Sequence, residues 1–205
     1  MNLIADIGNT VLKLALSQNG VISKTFRHHG ESEIDFICDI AAVYHPETTA
    51  VCSVKTPSDG DVRRLQSVSR KLLILDGKHR EIPGCHLTGQ DLRADYLVCI
   101  YAVRHLFPGR NFSIFDFGTD FNIVSGGEGG IRIETLTHDF SNRFTKETVE
   151  TVTVEMEKHL SECSDAVVVF TGGDANYFAK RTKNCIFVVC NLVLLGLALI
   201  VERYE

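Results

Sequence analysis

The chain has 205 residues, of which 44% are hydrophobic and 8% aromatic, and its formal net charge is −5. This is the composition of an ordinary globular protein, able to bury one large core or two small ones. The acidic balance argues against nucleic acid as a partner, because phosphate backbones recruit clustered lysine and arginine.

The sequence also argues against a membrane partner. The longest apolar stretch, residues 192–201, is about half of the ~20 residues that a membrane span needs, so we predict a core helix there. Residues 1–16 do not follow the pattern of a secretory signal, because Asp6 and Lys13 interrupt the apolar run. Seven cysteines without C-x-x-C spacing are predicted to be reduced thiols. We therefore predict a cytoplasmic protein.

The first 80 residues are predicted to form an antiparallel meander followed by alternating helices and strands. Asn19-Gly20 is a strong hairpin turn signal between two alternating segments, and the helices follow from apolar residues at helical spacing. The predicted elements are strands at 2–8, 11–16 and 21–27, a helix at 34–44, a strand at 49–54, a helix at 59–69 and a strand at 72–76.

The second part of the chain is predicted to repeat this order. Residues 77–88, with Pro83 and two glycines, are the predicted connection, which gives domains at 1–80 and 81–205. The predicted elements are a helix at 90–106, strands at 112–116, 121–125 and 131–137, a helix at 145–160, a strand at 166–171, a short helix, a strand at 186–189 and a helix at 192–201.

The strongest local pattern is a candidate phosphate-binding hairpin at residues 4–13. A buried strand ends at Asp6, a tight turn contains Gly8, Asn9 and Thr10, and a second strand carries Lys13. Exposed backbone N–H groups, a hydroxyl and a lysine suit a nucleotide's phosphates, and the aspartate can hold a cation or water. In the plainer interpretation, the glycine only supplies a positive φ at a strand end.

A second copy of this pattern lies 110 residues later. Asp116 stands between apolar residues and is followed by Gly118, Thr119 and a new strand. Each copy is followed by a second turn, at residues 18–20 and 126–130, and by a further strand. Two such hairpin pairs predict a duplicated α/β domain.

Four segments, in order, resemble the type III pantothenate kinases, a family of the actin-like ATPase and sugar kinase superfamily. The segments are residues 6–13; residues 92–96 with 107–111; residues 116–119; and residues 171–175 with 191–196. The resemblance implies two tandem ribonuclease H-like (actin-like ATPase) domains, each with a mixed sheet that opens with antiparallel strands. It also implies ATP-dependent phosphorylation of pantothenate to 4'-phosphopantothenate, the first step of coenzyme A biosynthesis.

The resemblance further implies roles for individual residues. Asp95 matches the general base, and Asp6 would hold Mg²⁺ through phosphate, while Asp116 matches a ligand of a monovalent cation, K⁺ or NH₄⁺. The ATP and phosphate contacts would be Asp6, Gly8, Asn9, Thr10, Lys13, Thr119, Gly172 and Gly173. The substrate contacts would be Arg93, Ala94, Asp95, Tyr96 and Thr145. A homodimer with substrate sites at its interface is also implied.

Three of these roles have plainer alternatives. Asp95 lies in the first turn of a predicted helix, where the helix dipole alone favours aspartate. Thr145 is well placed to be only a helix N-cap. Gly172-Gly173 could be an ordinary turn from strand to helix.

The substrate side departs from the family pattern. The family motif is L-G-x-D-R, whereas Tyr96 stands here in place of the arginine and cannot supply its charge. Arg93, three residues earlier, is predicted to restore that charge. Val152 and Met156 stand where relatives have glycines, and the segment before Thr145 is short.

These departures leave enzymatic activity open. One interpretation is a working, divergent and shortened pantothenate kinase. The alternative is a catalytically impaired or inactive paralogue that keeps the fold and perhaps nucleotide binding, with a regulatory or scaffold role. A sugar or acetate-type kinase of the same superfamily fits the hairpins but leaves Asp95 and the Phe107-Pro108-Gly109 segment unexplained.

Overall fold

The computed structural model of the protein describes residues 1–79, 82, 92–127, 130–137, 144–162, 165–184 and 186–204. The chain forms two compact units, Met1–Ala102 with Val193–Glu205, and Val103–Leu192. The units divide after Ala102 and after Leu192, whereas the sequence predicts a boundary between residues 80 and 81. The predicted boundary follows the internal duplication, whereas the C-terminal helix belongs to the first compact unit.

Ten strands and six helices are present in the described part of the chain. In chain order they are β1 (Asn2–Ile7), β2 (Leu12–Gln18), β3 (Val21–His28), α1 (Glu33–Tyr44), β4 (Thr48–Ser53), α2 (Asp59–Ser67), β5 (Lys71–Leu75), α3 (Ala94–Leu106), β6 (Phe112–Phe117), β7 (Phe121–Gly127), β8 (Gly130–Thr137), α4 (Lys146–Glu162), β9 (Val167–Thr171), α5 (Ala175–Ala179), β10 (Phe187–Val188) and α6 (Leu192–Val201).

The first sheet has the strand order β3-β2-β1-β4-β5. β1 is antiparallel to β2 and parallel to β4, which is parallel to β5. The β2–β3 hairpin turns at Asn19 and Gly20, whose φ angles of 52° and 72° are the positive values that a tight hairpin turn requires. β4 is buried along its whole length because it lies between two parallel neighbours.

The second sheet repeats this arrangement in the order β8-β7-β6-β9-β10. β6 is antiparallel to β7 and parallel to β9, as β1 is to β2 and β4. Helices follow the strands at the same positions in both repeats, so the predicted duplication and α/β fold class are confirmed. The core of this sheet is built from stacked phenylalanines, with Phe117 4.8 Å from Phe121 and 4.7 Å from Phe178 between ring centroids.

Val152 and Met156 lie in this second core and are 1% and 0% exposed. Both point from α4 into the phenylalanine cluster, at helical spacing. The two side chains therefore fill space inside the unit, as their replacement of the family's glycines predicts.

α3 begins four residues later than the sequence predicts. The carbonyl of Arg93 accepts a hydrogen bond from the N–H of Leu97 at 3.1 Å, which makes Arg93 the residue before the first helical turn. Residues 90 and 91 lie outside the described residues. The start at Ala94 places Arg93 outside the helix and Asp95 in its first turn.

α6 packs closely on α3 within the first unit. A Cβ atom on Gly196 would lie 2.5 Å from the carbonyl oxygen of Val98, so only glycine allows this approach. Leu192, Leu197 and Ala198 are fully buried, which confirms the predicted core helix. In the described residues, no helix combines the length and apolar character needed to cross a membrane.

Candidate active site

The hairpin of β1 and β2 holds the first two site residues. Asp6 and Lys13 are paired across the two strands, and Lys13 Nζ lies 3.7 Å from Asp6 Oδ2. Asp6 is 8% exposed, whereas Asn9 and Thr10 in the turn above it are exposed. The hairpin therefore presents an exposed turn beside an ion pair between a buried aspartate and a partly buried lysine.

Burial raises the pKa of Asp6 from 3.8 to about 6, against the opposing effect of Lys13. Water solvates a carboxylate better than a protein interior does, so burial favours the protonated acid. The negative charge of Asp95 raises the same pKa further. A cation brought next to Asp6 would therefore be favoured by two nearby carboxylates.

Asp95 lies in the first turn of α3 and is held by the residue before that helix. Arg93 binds it through two contacts, Nε to Oδ1 at 3.1 Å and a terminal guanidinium nitrogen to Oδ2 at 2.5 Å. The backbone N–H of Tyr96 also donates to Oδ1, at 3.0 Å. The Asp95 side chain is 13% exposed and that of Arg93 is 45% exposed.

Tyr96 is buried, and its ring packs against the guanidinium of Arg93. The guanidinium carbon of Arg93 lies 4.7 Å from the centre of the Tyr96 ring, a cation–π contact. Arg93 and Tyr96 are thus neighbours, as the sequence predicts. The ion pair between Arg93 and Asp95 is not predicted, because the sequence pattern places both residues inside a longer helix.

Asp6, Lys13, Arg93 and Asp95 share one electrostatic environment within the first unit. Besides Asp95, Arg93 also affects the pKa of Asp6, which it lowers. Cys52 pairs with Asp6 across β1 and β4, and burial together with Asp6 and Asp95 raises its thiol pKa well above 9. Two basic and two acidic side chains therefore interact electrostatically near the carboxyl ends of β1 and β4, the edge at which ligands bind in open α/β sheets.

A further carboxylate at this edge is not predicted from the sequence. Asp76 follows β5 and is 1% exposed, and its Oδ1 accepts hydrogen bonds at 2.7 Å from the N–H groups of Lys78 and His79. Burial raises its pKa, but these bonds and the His79 ring outweigh burial and bring the pKa below 3.8. Its Oδ2 is buried without a partner in the described residues. The sequence signal for this carboxylate is an Asp-Gly pair, Asp76-Gly77, directly after a strand. Asp76 is not predicted as a site residue because Gly77 begins the predicted connection between the domains.

In the second unit, the structure brings Asp116 and Gly172 together. Asp116 is the penultimate residue of β6 and pairs with Thr171 of β9. Gly172 has a φ of 91°, and a Cβ atom there would lie 2.4 Å from the Phe117 carbonyl oxygen and 2.8 Å from Asp116 Oδ1. Gly172 is therefore required by close backbone approach. Among the described residues, apart from its chain neighbours, none has an atom within 4 Å of a Cβ built on Gly173.

Thr145 lies at the start of α4 and caps it. Its Oγ1 accepts a hydrogen bond from the N–H of Thr148 at 3.2 Å, and its carbonyl accepts one from the N–H of Val149. Thr119 is exposed in the turn between β6 and β7. The N-cap geometry supplies a structural role for Thr145, and a substrate contact by its hydroxyl stays a prediction.

The two repeated sheets define the class of fold. The chain is similar in structure to the inorganic polyphosphate/ATP-glucomannokinase of Arthrobacter sp. strain KM, with a TM-score of 0.58, 12% identity and coverage of 99% of this chain and 98% of that one. It is equally similar to component A of the (R)-2-hydroxyglutaryl-CoA dehydratase of Acidaminococcus fermentans, with a TM-score of 0.58, 12% identity and coverage of 100% and 99%. The fold is that of the actin-like ATPases and sugar kinases, in two tandem domains.

Within that class, the sequence is similar to type III pantothenate kinases. The relative from Phocaeicola vulgatus is 28% identical over 235 positions, covering 96% of each chain. The relative from Azobacteroides pseudotrichonymphae is 26% identical over 233 positions, covering 96% of this chain and 94% of the relative. Seven relatives with this name match at 24–28% identity, which confirms the resemblance. No family model matches the chain.

The alignments also confirm that the chain is shortened. They extend over 233 to 242 positions, more than the 205 residues of this chain. The relatives therefore carry residues that this chain lacks.

Proposed function

We propose that the protein phosphorylates pantothenate with ATP, giving 4'-phosphopantothenate for coenzyme A synthesis. One observation carries the proposal: Asp6 and Lys13 of the hairpin lie in the same electrostatic environment as Asp95. A phosphate-binding group and a candidate base at one sheet edge are what phosphoryl transfer to an alcohol needs. The similarity to relatives named type III pantothenate kinase supports this choice of substrate.

The hairpin fits a nucleotide's phosphates and magnesium. Its exposed turn at residues 8–10 offers backbone N–H groups and the Thr10 hydroxyl, Lys13 adds a positive charge, and Asp6 adds an oxygen ligand. Once bound, ATP supplies the γ-phosphoryl group. Lys13 then offsets negative charge on the transferring group, and Asp6 must be ionised to hold the cation.

Asp95 would act as the base. Phosphoryl transfer relies on positioning more than on covalent help, so its main task is to orient the substrate hydroxyl and accept its proton as the oxygen attacks phosphorus. Its place in the first turn of α3, next to a buried tyrosine, fixes the carboxylate in the site. Arg93 would provide the positive charge for the carboxylate of pantothenate.

The second unit would hold the nucleoside and a monovalent cation. In the part of the chain that the structure describes, nothing crowds a Cβ at Gly173, so a ligand would fit beside the backbone there. Thr119 would add a hydroxyl contact. Asp116, which is partly buried at the end of β6, would bind K⁺ or NH₄⁺. A homodimer and a contact from the Thr145 hydroxyl to pantothenate complete the proposal.

The test is a kinetic comparison of Asp95→Asn with the wild type in MgATP, pantothenate and K⁺. Asparagine keeps the size of the side chain but cannot accept the proton, so we expect kcat to fall by about 10²-fold or more. Asp39→Asn is the matched control, because Asp39 is exposed on α1 and lies outside the site; it should retain wild-type activity. Equal activity of Asp95→Asn and wild type would contradict the proposed base.

A second candidate function is that of an inactive paralogue that binds nucleotide. The observation that favours it is the occupation of both Asp95 oxygens by Arg93, which leaves the candidate base already paired. Nucleotide binding with no detectable phosphorylation in any variant would favour this alternative.

A further inference from the structure

We propose that Arg93 is a latch on Asp95, which an anionic substrate opens by drawing the guanidinium to its own carboxylate. The inference rests on the proposed function and adds a substrate requirement to it. A substrate hydroxyl would be activated only if the same molecule carries a carboxylate. Arg93 is thus a positioning residue that acts through Asp95.

Both carboxylate oxygens of Asp95 accept hydrogen bonds from neighbouring groups. Arg93 donates to both of them, Nε to Oδ1 and a terminal nitrogen to Oδ2, and the Tyr96 N–H takes a further position on Oδ1. A planar guanidinium matches a carboxylate in this two-point geometry. A carboxylate bound in this way is poorly placed to accept a proton from a substrate hydroxyl, so the guanidinium has to move before Asp95 can act.

The surroundings of Arg93 allow that movement. Arg93 precedes α3, and its side chain is 45% exposed, whereas Asp95 is fixed in the first turn with a side chain 13% exposed. Arg93 is the more exposed partner, so water can solvate its guanidinium when the pair opens. The arginine is therefore the partner that moves.

The Arg93 guanidinium can stay in contact with the Tyr96 ring while it changes partner. The guanidinium carbon lies 4.7 Å from the centre of the tyrosine ring, and Tyr96 is 6% exposed. A guanidinium that stays within about 6 Å of the ring centre keeps a cation–π attraction. A carboxylate arriving above the ring would thus exchange with Asp95 as the partner of Arg93 and leave one Asp95 oxygen open.

After the exchange, one oxygen of Asp95 faces the substrate hydroxyl. Asp95 accepts the proton of the substrate hydroxyl, whose oxygen forms the new bond to the γ-phosphorus. The bond between that phosphorus and the bridging oxygen breaks, and its electron pair leaves with ADP. Asp95 then releases the proton to solvent and regains its negative charge, so the pair with Arg93 closes again when the phosphorylated product departs.

The test compares two substrates that differ in one group: pantothenate, and pantothenol, in which CH₂OH replaces the carboxylate. Wild type, Arg93→Gln, Arg93→Lys and the control Arg104→Gln are assayed for kcat and KM on both. Arg104 is an exposed arginine near the other end of α3, and its substitution should leave both reactions unchanged. Thermal unfolding of each variant checks that it is folded.

We expect opposite changes for the two substrates in Arg93→Gln. kcat/KM for pantothenate should fall about tenfold or more, the effect of losing one charge-assisted contact. kcat for pantothenol should rise several-fold, because Asp95 is no longer held. Arg93→Lys, which keeps the charge without the two-point geometry, should recover part of the preference for pantothenate.

Other outcomes overturn the latch. If pantothenate turnover falls and pantothenol turnover is unchanged, Arg93 binds substrate without restraining Asp95. If both fall together, its role is structural. A wild type that phosphorylates pantothenate while Arg93→Gln gains nothing on pantothenol contradicts the latch alone. No product from either substrate with any variant contradicts the proposed function as well.

Discussion

The buried carboxylate of Asp6 gives the most quantitative prediction, for Asp6→Asn. Folding moves the pKa of Asp6 from 3.8 to about 6, roughly two units at 1.36 kcal/mol each, so ionisation of Asp6 costs the folded state about 3 kcal/mol. The raised pKa means that this cost is absent below pH 4, grows between pH 4 and 6, and is complete above pH 6. Asparagine is neutral at every pH, so Asp6→Asn does not carry this cost of ionisation.

We therefore expect Asp6→Asn to be more stable than wild type at pH 8, by about 3 kcal/mol or roughly 6 to 12 °C in Tm for a chain of this size. The two proteins should be nearly equal at pH 4. The assay is thermal unfolding of both at each pH, with the exposed Asp39→Asn as a control that shifts neither. A variant less stable than wild type at pH 8 would refute this account, since it would mean that the pair with Lys13 outweighs the cost of burial.

One substitution in each unit tests its geometry, Gly172→Ala in the second unit and Asp76→Asn in the first. Gly172→Ala should lower stability by about 2 kcal/mol or more, because its Cβ would meet the Phe117 carbonyl at a φ of 91°. Gly173→Ala is the control: no described residue crowds a Cβ there, so this variant should unfold within about 1 °C of wild type. Equal losses in the two variants would contradict the close approach at Gly172. Asp76→Asn should destabilise by about 1 to 3 kcal/mol at pH 7 through its hydrogen bonds. Because the folded pKa of Asp76 is lowered, that difference should shrink as the pH falls below about 4, and a difference independent of pH in urea unfolding would contradict it.

The sequence predicts the fold because the relevant signals are local. Turn residues such as Asn19-Gly20, alternating apolar positions and the D-x-G repeat each specify one element or one turn. Their order then fixes the sheet topology, since the second sheet repeats the first strand by strand. Element ends are less certain, as the later start of α3 illustrates.

The site is only partly predictable, because partners of charged side chains are chosen in three dimensions. The pairing of Asp6 with Lys13 follows from hairpin register and is local. The bond from Arg93 to Asp95 depends on where α3 begins, and the inclusion of Asp76 depends on β5 lying beside β4. Neither can be read from spacing alone. The burial of Val152 and Met156 is predicted by their size and helical spacing.

If the protein transfers the γ-phosphoryl group of ATP to pantothenate with Asp95 as the base, identification of the product tests that reaction most directly. Purified protein at high concentration is incubated with pantothenate, MgATP and K⁺, and 4'-phosphopantothenate is measured by mass spectrometry beside Asp95→Asn. We predict that the wild type forms ATP-dependent product and that Asp95→Asn forms about a hundredth as much or less. Bound ATP without any product in the wild type would contradict the account and identify the chain as a paralogue that has lost transfer.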